Sequence, residues 1–276
     1  MKAAPFHYEC PDELVAALRL VRDPEAKALA GGQSLVPVMA MRLARPRVLD
    51  DLGRIDGLDR VERRDDELIT GAMVRQRALE RRPGLAAELP LVAAALPFVG
   101  HREVRNRGTI GGSIAHADPS AELGLVAATL SARIEARSLD ASREIAADEF
   151  FSGPFQTALE PGELLTAIRW PVAQPGDGYA FEEVARRHGD FALCGVAVQV
   201  RRDAGARVGL LGVAPAPVVH DVAESLPEGI DAVAERLAEQ VDPPSDMHAS
   251  AGYRRRLVAV LVARGLRRAL ASETGR

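Results

Sequence analysis

Cysteine is scarce in this sequence, and its scarcity excludes several classes of protein. Only Cys10 and Cys194 occur among the 276 residues. Two cysteines are too few for a disulfide framework, and a structural zinc or iron–sulfur site needs about four ligands. We therefore expect no metal site in this chain, and any iron–sulfur cluster that works with it must be held by another polypeptide.

Long apolar runs and an excess of charge of one sign are also missing. No apolar run approaches the roughly 18 residues of a membrane span, so we expect no membrane-spanning segment. The net charge is −4 and the arginines are interspersed with acids, unlike the basic surfaces that bind nucleic acid. The N-terminal residues lack the apolar core of a secretory signal, which leads us to expect a cytoplasmic protein.

A run of turn residues at 171–178 divides the hydrophobic pattern into two parts. Before it we predict helices at 11–22, 34–43, 75–82, 90–99 and 119–130, and strands at 26–30, 47–51, 61–63, 68–71, 132–137, 143–146 and 164–170. Ser34 is predicted to cap the second of these helices, and Pro119 to occupy the first turn of the last. After the run we predict three antiparallel strands at 179–184, 191–200 and 207–213, then helices near 216–226, 230–240 and 250–271.

Two glycine-paired segments carry most of the information about function. The first is ALAGGQSL at residues 28–35, and the second is RGTIGGS at residues 107–113. Glycine lets a ligand approach the backbone closely, and a turn that leads into a helix presents amide N–H groups to an anion. Both segments suit this role, so together they predict a bound diphosphate.

The predicted diphosphate site differs from a Rossmann site, because the Gly-x-Gly-x-x-Gly spacing is absent after the first predicted strand. Neither segment has lysine or arginine within its glycine turn. The amides of Gly31, Gly32, Gln33 and Ser34 are therefore expected to neutralise the anion, with hydroxyl groups from the second segment as additional donors.

Longer stretches around these glycines resemble the FAD-binding medium subunits of the molybdenum hydroxylases, a family that includes carbon monoxide dehydrogenase and bacterial xanthine dehydrogenase. The resemblance covers residues 30–39, 109–123, 161–171 and 178–191, so it spans nearly the whole chain. It implies an α+β fold with a PCMH-type FAD-binding domain at 1–172, made of subdomains near 1–55 and 56–172. A C-terminal domain at 178–276, with a three-stranded antiparallel sheet and helices, is implied after it.

The same resemblance implies a set of FAD-binding residues, with no catalytic residue and no metal ligand in this chain. The set is Ala28, Leu29, Ala30, Gly31, Gly32, Gln33, Ser34, Leu35, Val99, Gly108, Thr109, Ile110, Gly111, Gly112, Ser113, Asp118, Glu122, Leu165, Glu182 and Phe191. Many relatives have asparagine in place of Ser113. Many also have tyrosine in place of Phe191, at a position where the family carries an aromatic residue that shields the flavin ring.

Four members of this set also have a purely structural interpretation. Core packing is the alternative for Leu165 and Phe191. Asp118 and Glu122 lie at the start of a predicted helix, where a carboxylate can cap the helix or interact with its dipole. We favour this helix role for Asp118 and the binding of a cofactor hydroxyl for Glu122.

Several residues outside the set are expected to be structural or to contact other subunits. His116 has no paired acid in the sequence pattern and Cys194 falls in a predicted strand, so both are expected to be structural. Arg102, Arg105 and Arg107 are either solvated charges or docking contacts for another subunit.

The resemblance implies an electron-transfer subunit that is not active alone. A large molybdenum-cofactor subunit would oxidise the substrate, a small subunit would carry electrons through two [2Fe–2S] clusters, and the FAD of this chain would pass them to an external acceptor. The implied complex is a dimer of heterotrimers. Two alternatives are a stand-alone flavin oxidase and a non-catalytic flavin-binding or assembly module. The substrate (carbon monoxide, an aldehyde, a purine or another heterocycle) and the acceptor (NAD, oxygen or a quinone) stay open.

Overall fold

The computed structural model describes residues 2–202, 205–222, 226 and 229–273, with the backbone alone at residue 273. Its N-terminal residues form a small parallel sheet. In chain order the elements are β1 (His7–Glu9), α1 (Leu14–Leu20), β2 (Ala26–Leu29), α2 (Leu35–Ala40) and β3 (Val48–Asp51). The central β3 pairs in parallel with both neighbours, so that Tyr8 and Lys27 both flank Leu49. All three strands therefore end at the same edge of the sheet, where the segments that follow them meet.

The next part of the chain forms a five-stranded antiparallel sheet with interspersed helices. In chain order the elements are β4 (Val61–Arg64), β5 (Glu67–Gly71), α3 (Gln76–Glu80), α4 (Leu85–Glu88), α5 (Pro90–Ala95), α6 (Arg102–Arg107), α7 (Ile110–His116), α8 (Glu122–Thr129), β6 (Arg133–Arg137), β7 (Ser142–Ala146), α9 (Ala147–Phe150), β8 (Phe151–Gly153), β9 (Gln156–Thr157) and β10 (Leu164–Pro171). The strand order is β4–β5–β10–β6–β7, and β8 and β9 form a separate ribbon. Trp170, the single tryptophan, is fully buried on β10 and donates from Nε1 to Thr70 Oγ1 at 2.9 Å. Its fluorescence therefore reports on the integrity of this sheet.

The C-terminal part is a four-stranded antiparallel sheet backed by two helices. Its elements are β11 (Gly178–Ala185), β12 (Ala192–Arg201), β13 (Gly205–Leu211), β14 (Val218–Asp221), α10 (Ile230–Gln240) and α11 (Ala251–Glu273), with the strands in sequence order. One face of the sheet forms an apolar cluster with α10 and α11. On the other face Phe181, Ala192, Ala197 and Leu211 belong to the same cluster as Trp170. The sequence on either side of 171–178 thus contributes to one core.

Most of the predicted elements are confirmed, but the segment predicted as a helix near 216–226 contains a strand. Val218 and Val219 belong to β14, which pairs with β13 so that Val208 lies opposite His220. β-Branched residues favour a strand where an unpaired sheet edge is available, and Pro217 disfavours a helix that runs through it. The predicted three-stranded sheet therefore gains a fourth strand, while residues 223–225 lie outside the described part of the chain.

The second glycine segment and the segment that follows it are also organised differently from the prediction. Gly111 and Gly112 lie within α7 rather than in a loop, and the helix predicted to begin at Pro119 begins at Glu122. Asp118 accepts the Ser120 N–H at 2.8 Å and forms a turn ahead of α8. The proline therefore lies in that turn and not in the helix. No helix among the described residues is both long and apolar enough to cross a membrane.

Candidate functional site

The first glycine segment forms the turn between β2 and α2. The N–H groups of Gly31, Gly32, Gln33, Ser34 and Leu35 have no acceptor within the described part of the chain. Gly32 has a φ of 73°, in the left-handed region that favours glycine. Ser34 occupies the N-cap position of α2, but its backbone is already helical and its side chain caps nothing, so the predicted cap is wrong. What remains is a row of consecutive donors that can surround one anion.

The second glycine segment uses its amides within the protein. Thr109 is the N-cap of α7, and its Oγ1 accepts the Gly112 N–H at 3.0 Å. The Gly111 N–H donates to Ala72 O at 3.0 Å, and the Ser113 N–H donates to Thr109 O at 3.2 Å. Our prediction that these amides face an anion is wrong, because the chain already satisfies them. The half-buried Ser113 hydroxyl is a better placed donor than that of Thr109, which is 2% exposed.

The structure brings the two glycine segments into direct contact. A Cβ built on Gly31 would collide with the Arg107 carbonyl oxygen and would lie 2.8 Å from Gly108 Cα. A Cβ built on Gly112 would lie 3.0 Å from Ala30 Cβ. Glycine is therefore required where the backbones touch. The other predicted members of these segments lie beside the contact: Ala28 and Leu29 in β2, Leu35 at the start of α2, and Ile110 at the start of α7.

Helix α3 holds the second segment in position. The Gln76 N–H donates to Gly108 O at 2.9 Å, and the Gln76 Nε2 donates to Thr109 O at 3.4 Å. The Arg75 guanidinium donates to the carbonyl oxygen of Arg107. These positioning residues were missed in the sequence because they lie about 30 residues from the glycines they support, with no motif of their own.

A cavity of about 500 Å³ opens at the carboxyl ends of β1, β2 and β3, beside the first glycine segment. Its lining includes Arg54, Arg75 and Arg107, which provide the positive charge that the glycine turns lack. Burial and the neighbouring Arg107 guanidinium lower the pKa of Arg75. Tyr8 also lines the cavity and donates to Asp51 Oδ2 at 2.6 Å. The convergence of three parallel strand ends is the signal that predicts such a site.

Arg105 is buried and not free for docking, and it anchors Val99, a further member of the predicted FAD-binding set. Its Nη1 donates to Val99 O at 3.1 Å and to Gly100 O at 2.8 Å. Its Nε and Nη2 bind the two carboxylate oxygens of Glu80 at 3.1 and 3.2 Å. Both alternatives proposed for Arg105, a solvated charge and a docking contact, are therefore wrong. Val99 is held in place by this network at the C-terminal end of the helical turn after α5.

Glu122 and Asp118 have different environments at the start of α8. Glu122 is 6% exposed, and burial raises its pKa to about 7. A buried carboxyl whose pKa is close to neutral pH is a better candidate for binding a cofactor group than a solvated carboxyl is. Asp118 is half-buried and bonds the turn before α8, whose N-cap position is Ala121, so the N-cap role favoured for Asp118 is wrong.

The last three residues of the predicted FAD-binding set have different environments, and none of them lies in a glycine segment. They are Leu165, Phe191 and Glu182. Leu165 is 4% exposed and lies in the core, in agreement with its structural interpretation. Phe191 is 72% exposed, which excludes core packing for its ring. Glu182 faces α11, where it forms ion pairs with Arg264 and Arg268. Side chains alternate between the two faces of a strand. Because Glu182 faces α11, its neighbour Glu183 lies on the other face of the sheet, toward the FAD-binding part of the chain.

Cys194 and His116 have the structural surroundings expected from the sequence. Cys194 is fully buried on β12, and burial raises the pKa of its thiol to about 12. His116 is half-buried, with its ring centroid 5.1 Å from that of Phe155, and burial lowers its pKa. Within the described ranges, His, Cys, Asp and Glu side chains form no group of three or more that could hold a metal ion.

Comparison with known proteins identifies the class that this fold and paired-glycine site define. The family model for the FAD binding domain in molybdopterin dehydrogenase matches residues 4–173. The model for the CO dehydrogenase flavoprotein C-terminal domain matches residues 179–269. The chain therefore belongs to the FAD-binding medium subunits of the molybdenum hydroxylases, and it is an oxidoreductase component with FAD as its cofactor.

Individual relatives match the chain over almost its full length. The nicotine 6-hydroxylase medium subunit of Paenarthrobacter nicotinovorans is 40% identical, covering 96% of this chain and 97% of that protein. The carbon monoxide dehydrogenase medium chain of Afipia carboxidovorans is 36% identical, with the same coverage of 96% and 97%. A solved structure of carbon monoxide dehydrogenase from Hydrogenophaga pseudoflava superimposes with a TM-score of 0.94 at 33% identity, covering 98% of this chain and 99% of that one.

Proposed function

We propose that this chain carries the FAD of a molybdenum-dependent hydroxylase or dehydrogenase complex, takes electrons from two [2Fe–2S] clusters of a small partner subunit, and passes them to an external acceptor. Its full-length similarity to subunits named as medium chains of such complexes supports this role. The observation that carries the proposal is the row of free amide donors at residues 31–35, held against the second glycine segment.

The residues present fit an FAD diphosphate. The donors of the first segment match its negative oxygens, and Arg75 and Arg107 add positive charge at the adjoining cavity. Gly31 and Gly112 keep the two segments in contact, so that the cofactor binds across two parts of the chain. When bound, FAD supplies the exchange between one-electron carriers and a two-electron acceptor. The contribution of this chain is to bind and orient the cofactor and to restrict solvent around it.

Replacement of Gly112 by valine tests the cofactor site. A Cβ at this position would lie 2.6 Å from Thr109 Oγ1 and 3.0 Å from Ala30 Cβ, so the branched side chain separates the two segments. We expect Gly112→Val to weaken FAD binding by more than about tenfold, equivalent to about 1.4 kcal/mol, so that the chain is purified with little FAD. The measurement is the ratio of flavin absorbance to protein in the purified full chain.

Gly252→Val is the matched control for this experiment. Gly252 lies on α11, where an added Cβ meets nothing within 4 Å. This variant is expected to retain FAD at the wild-type ratio. Stoichiometric FAD in folded Gly112→Val would remove the two-segment site from consideration.

Reconstitution tests the proposed path of electrons. The purified chain with FAD is expected to show no substrate-dependent reduction of its flavin until the molybdenum and iron–sulfur subunits are added. Loss of oxidised-flavin absorbance after rapid mixing with substrate is the measurement. Reduction by substrate without partners would favour a stand-alone oxidase, and absence of FAD would favour an assembly module.

We also infer that the complex is a dimer of heterotrimers located in the cytoplasm. The support is the relationship to subunits of multi-subunit enzymes, such as the 6-hydroxypseudooxynicotine dehydrogenase complex of Paenarthrobacter nicotinovorans. Light scattering of the co-expressed subunits measures the stoichiometry, and fractionation of the native cells measures the location. A mass equal to a single heterotrimer would contradict the dimer.

A further inference from the structure

Glu183 on β11 is a half-buried residue on the side of the sheet that meets the FAD-binding part of the chain. It lies two residues after Phe181 and therefore on the same face of β11, and Phe181 lies in the shared core with its ring centroid 5.3 Å from that of Phe98. The Oε2 atom of Glu183 is inaccessible to solvent and has no hydrogen-bond partner among the described residues. An unpaired buried carboxylate oxygen is costly, so this group requires either a proton or a ligand.

Glu122 on α8 makes the ionised form of Glu183 still less favourable. The two carboxyls are close enough to repel one another, and burial followed by this repulsion raises the pKa of Glu183 to about 8. The charged and titratable groups around the pair are Asp118 ahead of α8, Arg105 on α6, Cys194 on β12, Arg254 on α11 and His188 after β11. The two arginines form ion pairs elsewhere, Arg105 with Glu80 and Arg254 with Asp246.

On the basis of the proposed function, we propose that Glu183 is a residue of the FAD site that acts as a neutral acid, so that Glu183 and Glu122 together carry a single negative charge when FAD is bound. A protonated carboxyl can donate a hydrogen bond to an acceptor atom of the cofactor. An ionised Glu183 would instead place a second negative charge beside Glu122 in a site for an anionic cofactor.

The proposal predicts the direction in which FAD affinity depends on pH. Bound FAD excludes more water from Glu183 and raises its proton affinity further, so binding is strongest where the free chain is already protonated. The apparent Kd is therefore low below the free-chain pKa of about 8 and rises as the pH increases through that value. Above it the increase approaches about tenfold per pH unit, because each molecule of FAD bound takes up one proton.

Titration of the FAD-depleted full chain from neutral to alkaline pH tests this proposal. For the wild type we expect the apparent Kd to increase about tenfold or more between pH values of about 7.5 and 9.5. Glu183→Gln keeps the shape of the protonated side chain and its lack of charge. The Kd of FAD for this variant should therefore change less than about twofold over that interval. Calorimetry in buffers of different ionisation enthalpy should show proton uptake in the wild type near its midpoint and none in Glu183→Gln.

Two further variants separate this proposal from a general effect of charge. Glu239→Gln, at an exposed position on α10, should keep the wild-type pH profile. Glu122→Gln should move the increase in Kd to lower pH, because the repulsion that raises the pKa of Glu183 is removed.

The inference is overturned if Glu183→Gln keeps the wild-type pH dependence. It is also overturned if Glu183→Gln, folded by its Trp170 fluorescence, loses FAD at every pH, since a negative charge would then be required. FAD binding that is independent of pH in the wild type contradicts this inference alone. Absence of FAD binding by the wild type at any pH contradicts the proposed function as well.

Discussion

Phe191 presents most of its ring to solvent, although Ala192 beside it is 4% exposed. An aromatic ring in this position has no packing role within the described chain, so it is available to cover the flavin or to exclude water from it. We expect Phe191→Ala to retain most of its FAD and to change the rate at which reduced flavin reacts with oxygen. Rapid-mixing reoxidation and flavin occupancy are the measurements.

The control for Phe191 is Val260→Ala, at an exposed apolar position on α11. Both substitutions should change the free energy of unfolding by less than about 0.5 kcal/mol, because both positions are exposed. If Phe191→Ala and Val260→Ala have the same reoxidation rate as the wild type, Phe191 does not face the flavin.

Which residues of the site can be predicted from sequence depends on how local their contacts are. The first glycine segment is predictable because Gly31 and the amides that follow it act within a few residues of each other. The supporting contacts of Gln76 and Arg75 are not, since these residues reach the second segment through the fold. The choice between Glu182 and Glu183 is equally hidden, because alternation predicts opposite faces without saying which face meets the cofactor.

At the scale of the element, α6 is attached to the rest of the site through the paired hydrogen bonds of Arg105 to Glu80. Burial alone would raise the pKa of Glu80, but the bonds from Arg105 and Arg77 hold it below its ordinary value. We expect Arg105→Lys to lower the free energy of unfolding by about 2 to 3 kcal/mol near neutral pH, since lysine cannot make the two-pronged contact. Urea unfolding followed by Trp170 fluorescence measures this loss.

The pH dependence of this loss identifies Glu80 as its source. A carboxylate whose folded pKa is lowered contributes stability above its unfolded pKa, and that contribution disappears as the pH falls through the folded value. The difference between wild type and Arg105→Lys should therefore shrink below a pH of about 4.3, the ordinary pKa of glutamate. Glu80→Gln is the matched variant, and in its background Arg105→Lys should cost less and show no dependence on acid pH, because only the bonds of Arg105 to the Val99 and Gly100 carbonyls are left to lose. A difference that stays constant at acid pH would exclude the Glu80 pairing as the cause.

The elements that were predicted incorrectly are those whose structure depends on distant partners. Val218 and Val219 become a strand because β13 has an edge to pair with, which a local pattern does not show. The helix α8 begins three residues later than predicted because Asp118 bonds the turn before it. By contrast, the strands β11, β12 and β13 are predicted correctly, since strand propensity and burial favour the same structure there.

At the scale of the whole molecule, the core shared across residues 171–178 predicts a single cooperative unfolding transition. Phe181 lies in the C-terminal sheet but packs in the same cluster as Trp170. Phe181→Ala should lower the free energy of unfolding by about 3 to 4 kcal/mol. Trp170 fluorescence and far-ultraviolet circular dichroism should still show coincident transitions.

Val262→Ala provides the second test of this cooperativity. Val262 is fully buried in the cluster between the C-terminal sheet and its helices, on the face remote from Trp170. If the chain unfolds as one unit, this variant should lower the urea midpoint reported by Trp170. A Trp170 transition unchanged by Val262→Ala would mean that the two parts unfold independently.

The contact between the two glycine segments also constrains how this protein can evolve. The atoms nearest to a Cβ at Gly31 are main-chain atoms of Arg107 and Gly108, which every amino acid shares, so no substitution at those positions removes the collision. The neighbours of Gly112 are instead side-chain atoms of Thr109 and Ala30, which a smaller residue can withdraw. A lineage that acquires alanine at position 112 can therefore be rescued by further changes such as Thr109→Ala, which removes the nearest atom, together with Ala30→Gly. One that acquires alanine at position 31 can recover only by reversion, so these two glycines differ in the evolutionary paths that they leave open.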